Sequence, residues 1–261
     1  MIDYSRDGPI VTIRLNRPEK LNALDAPACR ALAQCWLDFE KDPEARVAIL
    51  VGTGRAFCAG LDLSERSRFI KEGQGKTSFF SHGLPDLVLQ RHEWDIPGLT
   101  KPLIAAVNGL ATGIGTHLVM ACDLRVASDS ATFGLAEVNI GRFGAAQGLS
   151  AQGIPLPIAM ELAVLGETID AKRAYEVGLV NRLVAPDRVL ETALDLARRL
   201  ALKPPKAVSY NKLAVLRAMM PHDPVLDTMV ERFSSELDGT GDHREAVSAF
   251  LEKRPGRHRG E

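Results

Sequence analysis

No apolar run approaches the roughly 18 residues of a membrane-spanning helix anywhere in the 261-residue sequence, so no membrane association is expected. An excess of one charge sign is also missing. The 32 Lys and Arg nearly balance 33 Asp and Glu, for a formal net charge of −1. No overall field therefore draws the chain to nucleic acid or an anionic surface. Cys29, Cys35, Cys58 and Cys122 form no Cys-x-x-Cys pair and no secreted-scaffold spacing, as expected of reduced thiols in a cytoplasmic protein. The opening "MIDYSRDGPIVTIRL" lacks the basic stretch and apolar block of a signal peptide. Gly-x-Ser-x-Gly is absent, which excludes the nucleophile elbow of a serine hydrolase. His82 and His92 stand in a polar stretch without a ligand cluster, so no metal is expected.

What is there suits a globular chain: 46% hydrophobic and 25% charged residues, enough for one sizeable core. In Pro9–Leu15, Val11, Ile13 and Leu15 alternate and predict a strand. Ala28, Leu32, Cys35, Trp36 and Phe39 recur at three- and four-residue steps and predict an amphipathic helix. "RVAILVG" and "PLIAAVNG" are apolar at nearly every position, the pattern of strands covered on both faces. Strand and helix alternate, giving an α/β class. The polar segment within residues 64–98 is expected to be either a mobile wall over a site or a disordered loop. From Pro157 the pattern is helical, with Asp170 as a cap, Gly178 as a stop and "LVNRLV" extended. A soft boundary near residue 190 divides an α/β core, 1–190, from a helical region, 191–261. In that region Val225, Met229, Phe233 and Leu237 form an apolar stripe open to core packing or subunit contact. Asp223, Asp227 and Asp242 are read there as caps or solvated groups, and the tail "EKRPGRHRG" as a frayed, solvated terminus.

Three windows carry chemistry. "GTGRAFCAGLDL" follows a strand but lacks the pattern of a dinucleotide or phosphate loop, leaving a tight turn where backbone can approach a ligand closely. "NGLATGIGTHLVMACD" ends a strand and opens a helix, whose first-turn N–H groups can hold an anion or developing oxyanion. The helix is expected from Thr116, so His117 falls in that first turn, open to a catalytic or a packing role. "SDSATFGLAEVNIGRFG" sets Glu137 among small and apolar residues, either a general acid/base or a surface carboxylate.

Together with "VTIRLNRPEKLNALD", "ETIDAKRAYEVGLVNRLV" and "AFLEKRP", these windows resemble, in order and over nearly the whole chain, the enoyl-CoA hydratase/isomerase or crotonase superfamily. The resemblance implies a spiral of repeated ββα units with a C-terminal helical trimerisation region, and a homotrimer or dimer of trimers. It implies an acyl-CoA substrate, with coenzyme A as part of the thioester and no tightly bound cofactor. The family's oxyanion hole maps onto the N–H groups of Leu61 and Ile114, the latter departing from the usual glycine. Ala23, Ala59, Leu61, Phe250 and Lys253 match positions that contact coenzyme A. Glu137 matches one of two hydratase glutamates, and His117 stands where the other belongs. "GRFGAAQGLS" also departs from the family's run, so Phe143 and Gln147 are expected to reshape the acyl pocket. The resemblance implies a hydratase first. A Δ3–Δ2-enoyl-CoA isomerase using Glu137, an acyl-CoA hydrolase using His117 and an inactive scaffold are the alternatives.

Overall fold

The computed structural model describes residues 1–64, 96, 98–140, 147–218, 241, 242, 245, 252, 254–257, 259 and 260. The expected wall within 64–98 falls mostly outside them. Phe143, the Gln147 side chain, the stripe from Val225 to Leu237, Phe250 and Lys253 fall wholly outside.

Strands β1 (Ile2–Asp7) and β2 (Ile10–Leu15) pair antiparallel. Val11, Ile13 and Leu15 of β2 are buried, as their alternation requires. Helix α1 (Ala26–Lys41) starts at Asp25, whose side chain accepts from Ala28 N–H at 2.9 Å and satisfies one orphan donor of the first turn. Ala28, Leu32, Cys35, Trp36 and Phe39 of α1 are all buried in the larger of two core clusters.

A strand pair then recurs three times. β3 (Val47–Gly52) leads to β4 (Ala56–Cys58), and β5 (Leu103–Val107) leads to β6 (Leu110–Thr112) and helix α2 (Ile114–Met120). β7 (Leu124–Ser128) leads to β8 (Thr132–Gly134) and a 3-10 turn, Ala136–Ile140. After the short helices α3 (Gln147–Ala151) and α4 (Leu156–Met160) come β9 (Thr168–Asp170), α5 (Ala171–Glu176) and β10 (Arg182–Val184). In each pair the first strand joins a six-stranded sheet, β1-β2-β3-β5-β7-β10, parallel except at β1. The second joins a four-stranded sheet, β4-β6-β8-β9. This is the expected spiral of ββα units.

Both faces of the larger sheet are covered, which explains the unbroken apolar runs of β3 and β5. Ala48, Leu50, Leu103 and Ala105 face the larger cluster with α1. Val47, Ile49, Val51, Ile104 and Ala106 face a second cluster with Val189, Ala193 and Ala197 of α6 (Val189–Ala201). The first of the C-terminal helices thus covers the sheet of its own chain. The next, α7 (Pro205–Ala218), is held by Lys212, whose Nζ lies 3.0 Å from Asp123 Oδ2 and donates to Lys101 O.

Four readings are corrected. The short strands β4, β6 and β9 lie in segments expected to be turn, loop and helix; each exists by pairing with a distant strand. Helix α2 begins at Ile114 rather than Thr116. Asp242 is buried instead of solvated, because its carboxylate accepts from the N–H groups of Arg259 at 2.6 Å and Gly260 at 2.8 Å. The tail is therefore tied back rather than frayed, with Glu245 accepting from Arg257 N–H at 2.9 Å and from Arg254. Asp170 does cap α5, accepting from Arg173 N–H at 2.7 Å, and Gly178 stops the chain beyond it at φ +83°. No helix among the described residues is long and apolar enough to cross a membrane.

Candidate active site

The site forms where the three strand pairs send their second strands into the smaller sheet. After β4 the chain turns through Ala59-Gly60-Leu61, and Leu61 makes a parallel bridge with Leu24. Leu24 N–H donates to Gly60 O at 2.8 Å and Leu24 O accepts from Asp62 N–H at 2.9 Å. In this pattern the amide of Leu61 itself faces away from Leu24. After β6, Gly113 precedes the first residue of α2, Ile114, whose N–H has no intrahelical partner. Neither the Leu61 nor the Ile114 N–H meets an acceptor among the described residues. The Ile114 side chain is 7% exposed and packs in the larger core cluster, away from solvent.

Two close approaches bring these amides together. Helix α2 lies so near β4 that a Cβ on Gly115 would sit 2.2 Å from Cys58 O. Gly113 has φ +56° and Gly60 φ +96°, both in the left-handed region. A Cβ on Gly113 would lie 3.8 Å from Gly60 Cα and 3.2 Å from Glu137 Oε1. A side chain on Gly113 would therefore meet both the turn that leads to Leu61 and the Glu137 carboxylate.

Glu137 sits in the first turn of the 3-10 segment after β8. Its Oε1 is 3.7 Å from His117 Nε2, and its Oε2 is a buried oxygen with no hydrogen-bond partner among the described residues. His117 is 4% exposed and occupies the middle of the seven-residue α2. The structure thus brings together Leu61, Ile114, His117 and Glu137: two N–H donors and a buried carboxylate oxygen without partners among the described residues, with a histidine beside the carboxylate. Such an arrangement can stabilise an oxyanion and handle a proton next to it.

Ala59 and Ala23 lie on the same turn and loop. Ala59 N–H donates to Leu21 O, Ala23 N–H donates to Lys20 O, and Ala23 O accepts from Arg17 Nη1 at 2.8 Å. Phe250 and Lys253 are outside the described residues. The Cys58 thiol beside the turn is pushed up to about 12 by burial, so it stays a neutral packing group rather than a nucleophile.

Two site residues escaped the sequence reading. Thr116 is fully buried, and its hydroxyl lies 2.9 Å from Ala111 O and 2.8 Å from Gly134 O, tying α2 to the strand that leads to Glu137. Arg17 reaches Asp62, the residue after Leu61, at 3.3 Å. Both lay inside the quoted windows, but nothing in their spacing names their partners.

Comparison with known proteins gives the family. A statistical model of the family described as enoyl-CoA hydratase/isomerase matches residues 5–261. The chain is 35% identical over 257 residues to the short-chain-enoyl-CoA hydratase of Clostridium acetobutylicum, covering 95% of this chain and 94% of that one. It is also 35% identical over 256 residues to the 1,2-epoxyphenylacetyl-CoA isomerase of Escherichia coli, covering 94% and 93%. The crystal structure of an enoyl-CoA hydratase from Bacillus anthracis superposes with a TM-score of 0.89 at 32% identity, covering 100% of this chain and 99% of that one. The chain belongs to the enoyl-CoA hydratase/isomerase family, the crotonase superfamily, and is an enzyme of the hydratase/isomerase type.

Proposed function

We propose that the enzyme adds water reversibly to a 2-enoyl-CoA. The N–H groups of Leu61 and Ile114 form an oxyanion hole for the thioester carbonyl. Water held at Glu137 attacks the β-carbon and gives its proton to the Glu137 carboxylate. The electron pair of the double bond moves to the thioester oxygen, and the enolate then takes that proton from the Glu137 carboxyl at its α-carbon, which leaves the carboxylate as it began. Each N–H donor contributes about 3 kcal/mol to the transition state. His117 is the second group on the water, in the position where the family's other glutamate belongs.

The observation that carries this reading is the convergence of His117 Nε2 and Glu137 Oε1 at 3.7 Å beside two free amides. The spacing is too long for a direct hydrogen bond. It is shorter than the about 4.6 Å between two groups sharing one tetrahedral water, so a ring shift of about 1 Å admits the water. Ala23, Ala59 and Leu61 contact the coenzyme A portion, joined by Phe250 and Lys253 from a neighbouring subunit of a cytoplasmic homotrimer or dimer of trimers.

The open Oε2 of Glu137 also favours a second reading, a Δ3–Δ2-enoyl-CoA isomerase in which Glu137 alone moves a proton between C2 and C4. Wild type, H117A and E137Q assayed on crotonyl-CoA and on a 3-enoyl-CoA separate the two. Hydration by wild type is expected to fall about a hundredfold to ten-thousandfold in E137Q. H117A is expected to lose hydration while keeping isomerisation. Isomerisation without hydration by wild type makes the enzyme an isomerase, release of free coenzyme A by a His117-dependent route makes it a hydrolase, and silence on every thioester leaves a scaffold.

A further inference from the structure

The amide that faces the proposed oxyanion is aimed by a loop on the far side of Leu61. A peptide unit is planar and trans, so its C=O and N–H point in opposite directions. Gly60 O and Leu61 N–H belong to one such unit. Holding Gly60 O on Leu24 N–H at 2.8 Å therefore turns Leu61 N–H the other way, away from Leu24, on a turn whose Gly60 Cα lies against Gly113. The direction of the donor depends on where Leu24 is held.

Leu24 sits in a loop, 17–25, whose path is costly. Leu21 and Asn22 have φ +52° and +58°, a region that a leucine adopts only under constraint. Asn22 is 1% exposed; its Oδ1 accepts from Arg17 N–H at 2.9 Å, and its Nδ2 donates to Thr53 O and Ala56 O. The Arg17 guanidinium then clamps both flanks of Leu24. Its Nη1 donates to Ala23 O at 2.8 Å and lies 3.1 Å from Asp25 Oδ2, while its Nη2 reaches Asp62 Oδ2 at 3.3 Å. The side chain is 18% exposed, so solvent screens these contacts less than at a surface pair. One rigid fork thus links the residue before Leu24, the residue after it and the residue after Leu61.

We propose that Arg17 is a positioning residue for the oxyanion hole, fixing the direction of Leu61 N–H through Ala23, Asp25 and Asp62. This rests on the reading of that N–H as an oxyanion donor. Lysine cannot replace it, because one ammonium lacks the planar fork that spans three acceptors on two segments. Arg17 touches no reacting atom, so its loss misdirects a donor rather than removing one.

The test combines kinetics with crystal structures of wild type, R17Q and R17K, with D62N as the variant that breaks the clamp from the other end. The kcat of R17Q on the thioester that wild type turns over is expected to fall about tenfold to a hundredfold, with KM changed by less than about threefold. R17K is expected to recover little of it, and D62N to lose less. In the R17Q crystal the Gly60–Leu61 peptide is expected to be rotated and the Leu24–Leu61 bridge opened. A lowered melting temperature with unchanged kcat overturns the proposal, as does a rise in KM alone. An unrotated Leu61 peptide in R17Q and D62N overturns it whatever the kinetics. If wild type turns over no acyl-CoA thioester, the functional reading fails, and the crystal structures still decide whether Arg17 aims the amide.

Discussion

Thr116 links the two halves of the candidate site. Its single hydroxyl proton is shared between Ala111 O and Gly134 O, and its oxygen accepts from Gly134 N–H at 3.3 Å. Gly134 O also accepts from Gly113 N–H at 3.0 Å. The residue before the Ile114 donor and the strand before Glu137 are thus held by one knot of hydrogen bonds. T116V keeps the shape and removes the hydroxyl's bonds, leaving only Gly113 N–H on Gly134 O. It is expected to cost about 1–3 kcal/mol by urea unfolding and to lower kcat, because Ile114 and Glu137 lose their common reference. Unchanged stability and kcat would show that the glycine backbone alone keeps the two in register. The candidate site was legible where its chemistry lies in residue type, as at Glu137, His117 and the glycines before Leu61 and Ile114. Thr116 and Arg17 were illegible because an interior threonine or a loop arginine has no meaning until the fold supplies its acceptors.

Elements divide in the same way. α1, β2, β3 and β5 were legible from periodicity because each is long enough to show a repeat and buries a whole face or both. β4, β6, β8 and β9 have three residues apiece, too few for alternation to stand out, and they exist only through pairing with segments far away in sequence. α6 belongs to neither group. Its region was expected to be helical with no partner assigned to it, and Val189, Ala193 and Ala197 pack it against β3, β5 and β7. Ala193 and Ala197 are fully buried, and their small size lets the helix lie close to the sheet. A193L is therefore expected to overpack that interface and cost about 1–3 kcal/mol, read as a lower urea midpoint with an unchanged m-value. A neutral result would mean that α6 stands off the sheet by more than a methyl group.

At the scale of the whole molecule, packing helices on both faces of a sheet and a second sheet beside it leaves all four cysteines buried. Burial pushes the Cys35 thiol up to about 11, helped by the charge of Asp38, and the Cys58 thiol up to about 12; Cys122 is raised by burial and then by Asp123. In the unfolded chain these thiols ionise around the ordinary value of 9.0. Above that pH the unfolded state gives up protons that the folded state keeps, so the folded state binds more protons and stability falls as pH rises. Below it, both states hold the protons and the thiols contribute no pH dependence. Each thiol contributes a slope of about 1.4 kcal/mol per pH unit, and the three together about 4 kcal/mol per unit until Cys35 begins to ionise in place. Urea unfolding between pH 8 and 10.5 is expected to show stability level at first and then dropping steeply. The C35A/C58A/C122A variant is expected to start less stable, from the cavities left behind, and to lose far less over the same range. Equal slopes in the two proteins would mean that the thiols ionise within the fold, and that water reaches a core that the packing of α1, α2 and the smaller sheet otherwise closes.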